Sequence, residues 1–124
     1  MTALTGVLIS VDGAYSDLTI EGRVCPVLLA AIGGTPEFAY YGRLGGTAIC
    51  VIVHETGAVD GLPINRLATR LVEYVRGGLL SYSLRGPVAV MSYDRQTEQL
   101  LPLSSSHRSL LVEAAMHEAE EGQA

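Results

Sequence analysis

Apolar residues along this chain fall into short β-branched runs separated by stripes at helical spacing. Thr5 to Val11 reads as a first strand, and Asp12-Gly13 behind it is a hairpin turn signal. Tyr15 to Ile20 is apolar at Leu18 and Ile20, the pattern of a half-exposed second strand. In Arg23 to Ile32 the residues Cys25, Leu28, Leu29 and Ile32 sit at i, i+3, i+4 and i+7 and predict a short helix packed on the sheet. Pro26 is tolerated near its start, where N–H groups have no intrahelical partner, and Gly33-Gly34 supplies a left-handed stop. Glu37 to Tyr41 is strand-like, Arg43 to Gly46 is a turn region, and Thr47 to Val53 is apolar almost without a break. Both faces of that last run should be covered, as in a middle strand.

His54 to Gly57 turns the chain outward, Ala58 to Asp60 is expected to be a short extended piece, and Gly61 to Asn65 bends it again. Asn65 is a good N-cap for a helix whose apolar face is Leu67, Ala68, Leu71, Val72 and Val75. Arg66, Arg70, Glu73 and Arg76 line its other face, with Arg70–Glu73 and Glu73–Arg76 spaced to pair, and Gly77-Gly78 ends it. Leu79 to Tyr93 holds two extended runs around Gly86-Pro87, of which Val88 to Met91 is a core strand. Asp94 to Glu98 is a polar turn, and Gln99 to Leu103 adds a short edge strand. Ser104, Ser105 and Ser106 offer caps for a last helix from His107 to about Glu121, with Leu110, Leu111, Ala114 and Ala115 as its stripe and a fraying acidic end. This order predicts an α+β fold: a single, mostly antiparallel sheet with two or three helices packed on it. Residues 1–106 form the α+β domain, and 107–124 an amphipathic helix with an acidic tail.

Composition sharpens this picture. A chain of 124 residues with 48% hydrophobic and 17% charged side chains is one well-filled domain that needs no metal or disulfide staple. Its positive charge comes from eight arginines with no lysine, which is codon bias in a GC-rich genome or selection for planar, bidentate groups. The net charge of −5 argues against binding that rests on phosphate neutralisation. Four carboxylates, Glu113, Glu118, Glu120 and Glu121, crowd the end of the chain, so the body is nearly neutral and does not spread its acids as a DNA mimic would. No apolar run approaches a membrane span, and the first residues lack the pattern of a signal peptide, so a cytoplasmic protein with no membrane association is expected. There Cys25 and Cys50 should be reduced, buried, small hydrophobes.

Three segments resemble a family. His54 to Ala68, HETGAVDGLPINRLA, resembles the D-E-E-G-x-x-x-G-L-P-x-N-R-x-A run of a small family of domains of unknown function. Its members are carried by phages, plasmids and other mobile elements, often near antirestriction genes. Ala31-Ile32-Gly33-Gly34 and the Tyr-containing strand behind it resemble the V-G-G-Y/W-I-E-x-V segment of that family. Leu84 to Val90 is similar to its I-x-G-P-x-V-V strand. His54 stands where an acid is common, and the C-terminal helix is longer than the family pattern suggests. The resemblance implies a compact α+β domain of mobile-element origin, with an anti-defence setting, and transfers no catalytic residue.

Candidate chemistry is sparse. His54-Glu55 reads as a solvated turn in preference to an acid–base pair. His107 and His117 are too far apart on one helix to share a metal, and no zinc spacing, P-loop, G-x-G-x-x-G or G-x-S-x-G occurs. Cys25 and Cys50 lie in apolar runs that disfavour a thiolate. The candidate ligand or partner residues are Asn65, Arg66 and Arg70 at a helix start, with Tyr41 and Tyr74 as interface or stacking residues. The expectation is a non-enzymatic accessory protein without metal or cofactor, associating with itself and binding a host protein or a small anionic ligand. A nucleotide or nucleic-acid module built on Asn65, Arg66 and Arg70 is the alternative.

Overall fold

The computed structural model describes residues 3–44 and 47–123, apart from the side chains of residues 40, 41, 43, 44, 47 and 117–123. The elements run β1 (Leu4–Ile9), β2 (Tyr15–Ile20), α1 (Val24–Ile32), β3 (Pro36–Leu44), β4 (Thr47–His54), α2 (Arg66–Arg76), β5 (Val88–Asp94), β6 (Gln99–Leu101) and α3 (Ser105–Gln123). The strands form one six-stranded sheet in the order β2-β1-β5-β4-β3, with β6 also on β5. Every pairing between these strands is antiparallel. The expected α+β architecture is therefore the one observed.

β5 is the centre of the sheet. One of its edges pairs with β4, and the other is shared end to end, by β1 opposite Val88 to Val90 and by β6 opposite Ser92 to Asp94. Val88 to Ser92 are all buried, because alternate side chains enter two different cores. On one face Val88 and Val90 meet Val7, Ile9, Ile49 and Val51, capped by Leu67, Ala68, Leu71 and Val72 of α2 and by Leu111 and Ala114 of α3. On the other face Ala89 and Met91 meet Leu18, Ile20, Cys50 and Ile52 under Leu28 and Ile32 of α1. The unbroken apolar runs at 47–53 and 88–91 are thus strands covered on both sides. β4 is flanked by β3 and β5, and the middle position of the sheet goes to β5.

Several local expectations change. The nine residues of α1 are almost all apolar, so its sequence permits more than one stripe. The sheet takes Val24, Val27, Leu28, Ala31 and Ile32, leaving Leu29 and Cys25 exposed. Cys25 is therefore not the buried hydrophobe expected, whereas Cys50 is, and both thiols are free. Ala58 to Asp60 is not extended: it lies in consecutive turns closed by Asp60 N–H to Thr56 O at 2.8 Å and Leu62 N–H to Gly57 O at 2.9 Å. Of the two extended runs expected between Leu79 and Tyr93, only β5 is a strand; the first reduces to one bridge, Arg85 with Ile64. β3 continues through Arg43 to Leu44 after a register shift between Tyr40 and Gly42, and the remainder of the expected turn, Gly45-Gly46, lies outside the described residues.

The C-terminal helix is part of the domain. α3 starts at Ser105, capped by Ser104, whose Oγ accepts the N–H of His107 at 3.2 Å. It packs on α2, buries Leu111 and Ala114, and runs on to Gln123 where fraying was expected.

The approach of β1 to β5 depends on Gly6. A Cβ at Gly6 would run into the Val90 carbonyl oxygen and Met91 Sδ, and the former is backbone that cannot swing away. Gly6→Ala should lower stability by roughly 1–3 kcal/mol, the usual cost of overpacking, and urea unfolding followed by circular dichroism reads it directly.

Candidate functional site

The Gly61-to-Asn65 bend and the Leu84-to-Pro87 run, separate in sequence, lie side by side. Gly86 N–H donates to Pro63 O at 2.8 Å and Asn65 N–H to Leu84 O at 2.8 Å, bracketing the Ile64–Arg85 bridge. Arg85 Nη1 adds a bond to Leu62 O at 3.0 Å. Gly86 has φ +76°, and a Cβ there would come 2.8 Å from Leu62 Cδ1, so the position favours glycine twice over.

Asn65 is the centre of this junction. Its Oδ1 accepts the Ala68 N–H at 3.1 Å, the expected N-cap of α2. Its Nδ2 donates to Ile9 O at 3.0 Å and to Gly86 O at 2.9 Å. Asn65 is 0% exposed, and both amide hydrogens are committed to backbone carbonyls of other elements. It serves as a clamp between β1, α2 and the turn before β5, and has no amide hydrogen left for a ligand.

Arg66 and Arg70, the other members of the expected site, do come together. They line a shallow cavity of about 140 Å³ with Ile64, Thr69, Glu73 and Ser83. Its character is mixed, because Arg70 Nη1 lies 3.7 Å from Glu73 Oε1 and Glu73 Oε2 accepts the Leu80 N–H at 3.0 Å. Tyr74 does not line this cavity; it packs against the α2/α3 core. Tyr41 lies on β3, and its side chain is outside the described residues, as is that of His117.

His54 is not a solvated turn residue. It ends β4 with a side chain only 10% exposed, its ring packed so closely on Gly34 that a Cβ there would overlap it. Thr56 N–H donates to Nδ1 at 3.1 Å, which places the ring proton on Nε2. Nε2 in turn lies 3.9 Å from Asp60 Oδ2, an oxygen held by Thr56 Oγ1 at 2.7 Å. His54 and Glu55 both border a cleft of about 160 Å³ with Glu37, Tyr82 and Arg85. The Nδ1 lone pair is engaged by the Thr56 N–H.

Two features have no clear sequence signal. Ser92 Oγ and His107 Nδ1 meet at 2.8 Å inside the protein, with exposures of 1% and 0%. This serine–histidine contact is sealed from any substrate, and burial lowers the His107 pKa. Burial likewise pushes the Cys50 thiol up to about 11, so it is no nucleophile at neutral pH. The second feature is an apolar groove of about 530 Å³ between α1 and the edge strand β3, lined by Cys25, Pro26, Leu29, Thr35, Pro36 and Phe38. Phe38 also borders a neighbouring hollow of about 320 Å³ with Cys50, Tyr93 and Leu100, where α1 no longer covers the sheet.

Among the described residues no three His, Cys, Asp or Glu side chains converge to hold a metal ion, and no helix is long and apolar enough to cross a membrane. Comparison with family models, with curated proteins and with solved structures found no match.

Replacing Asn65 by Ala removes the helix cap and both buried Nδ2 bonds to backbone carbonyls, which should cost roughly 2–4 kcal/mol. Asn65→Asp keeps the cap acceptor and sets a carboxylate against the Ile9 and Gly86 oxygens, so it should destabilise comparably. Thermal and urea unfolding of the two variants measures this; an Asn65→Ala protein as stable as the parent would contradict the clamp.

Proposed function

We propose that this chain is a non-enzymatic accessory protein of a phage or other mobile element, acting by contact with proteins through the groove between α1 and β3, and associating with itself there. The observation that carries the reading is that groove. Leu29 is 52% exposed and Phe38 49% exposed, side by side along a nearly all-apolar cleft. The free edge of β3 adds unpaired backbone groups next to it. Thr35 O accepts the N–H of Glu55, so Thr35 turns its polar backbone groups inward to β4, and by alternation those of Phe38 face outward. An apolar cleft beside an open strand edge suits an extended segment of another chain, which gains main-chain hydrogen bonds and side-chain burial together. The mobile-element origin rests on the three sequence segments described above. The non-enzymatic part is supported by the engaged Nδ1 of His54 and the sealed Ser92–His107 pair.

A second reading is favoured by one observation, the cavity shared by Arg66 and Arg70. Two guanidinium groups one helical turn apart suit a small anion or a nucleotide phosphate. Glu73 in the same cavity opposes it, and this reading ranks second for that reason.

Light scattering coupled to gel filtration tests the first reading. The parent chain should elute above its 13.1 kDa monomer mass at micromolar concentration. Phe38→Glu or Leu29→Glu should weaken self-association by about 100-fold or more while leaving the melting temperature nearly unchanged. A monomeric parent chain, or a charge in the groove without effect, speaks against it. Salt-sensitive phosphate or nucleotide binding that Arg66→Ala abolishes would favour the second reading instead.

A further inference from the structure

His107 carries a buried side-chain nitrogen, Nε2, that has no hydrogen-bond partner, the only such atom among the described residues. Ser92 Oγ accepts the Ser104 N–H at 3.0 Å, which leaves the serine hydrogen free to donate to His107 Nδ1 at 2.8 Å. The imidazole proton then sits on Nε2, sealed from water without an acceptor. A second proton would make the ring a cation with two buried donors, facing a serine already arranged to donate.

Among the described residues nothing around the ring compensates such a charge. On its own helix, Arg108 turns outward to Asp17 of β2 at 3.2 Å, and Glu113 is exposed. α2 turns Leu67, Ala68, Leu71 and Val72 inward; its Arg66 and Arg76 are exposed, Arg70 and Glu73 pair with each other, and Tyr74 lies at the core rim. β5 presents neutral Ser92, and its Asp94 accepts the N–H groups of Gln96 and Thr97. β1 and β6 carry no titratable side chain. Desolvation is accordingly the cause of the lowered His107 pKa.

The helix this ring anchors is lightly held. Within the described side chains of α3 only His107, Leu111 and Ala114 are fully buried, while Val112 and Met116 face water. The Arg108–Asp17 pair is exposed and adds little. α3 contributes no strand pairing, so it can leave without breaking the sheet.

We propose that α3 is an acid-released latch: in mild acid a proton taken up by His107 undocks α3 from α2 and β5 and uncovers the apolar surface beneath, while the sheet, α1 and α2 stay folded. The sign follows from which state holds the proton. Docked, the ring is kept neutral; undocked, it titrates near its ordinary 6.5. Docking is complete above that value and weakens by up to about tenfold per pH unit below it, until the lower pKa of the docked ring is reached.

Hydrogen exchange read by mass spectrometry at pH 7.5 and 5.5, corrected for intrinsic rates, tests this proposal. Amides of residues 107–116 should lose about tenfold in protection at pH 5.5 while those of β4 and β5 keep theirs, the loss expected for one linked proton. His107→Asn offers Ser92 a polar partner that does not titrate, and should abolish the pH-dependent loss. If that variant does not fold, the NMR titration of the His107 ring in the parent chain decides. Midpoint protonation near 6.5 with α3 still protected overturns the proposal. So does joint loss of protection in α3 and the sheet, or an α3 that stays protected down to pH 5.

Discussion

Three hydrogen bonds from one buried amide hold this fold together. Asn65 caps α2 through Oδ1 and reaches Ile9 and Gly86 through Nδ2, so a single side chain joins β1, α2 and the approach to β5. Each bond contributes modestly when made. Each is costly when broken, because all three bonds lie in the buried interior. The Gly61 bend, Pro63 and the left-handed Gly86 all serve to deliver Asn65 to that spot. The Gly61-to-Ala68 run is therefore a folding device first. Its outward-facing remainder is the arginine pair beyond the cap.

Around that clamp the two faces of the sheet are covered unequally. One carries α2 and α3; the other carries only the nine residues of α1. A short helix cannot roof a six-stranded sheet, and the uncovered margin is the groove and hollow that meet at Phe38. The exposed apolar recesses at Phe38 follow from that shortage of helix. The polar residues are mostly spent on structure instead: His54 on a turn, Arg85 on Leu62, Ser92 and His107 on each other.

The same economy ties the groove to the latch. α1 and α3 sit on opposite faces of the sheet, so release of α3 would open the second apolar face without disturbing the first. The groove and the α3 contact therefore lie on separate faces of this domain.

Much was legible from the residues alone. Periodicity located the segments that became strands and helices, but it also suggested extended runs at Ala58 to Asp60 and before Gly86 that are not strands. Asn65 announced its cap because capping is local chemistry within three residues. Doubly covered strands were readable at Thr47 to Val53, since an unbroken apolar run has no face for water. What lay beyond was decided by contacts between distant positions. α1 is apolar on all sides, so only the sheet could select Leu28 and Ile32 and turn Cys25 and Leu29 outward. Ser92 and His107 are fifteen residues apart, and Asn65 and Ile9 fifty-six, separations at which sequence carries no geometry. The amino-acid sequence by itself determined roughly where the strands and helices lie and which residue caps α2. The tertiary structure alone decided that this cap is also a clamp, because the two carbonyls it holds come together only when β1 and β5 have paired.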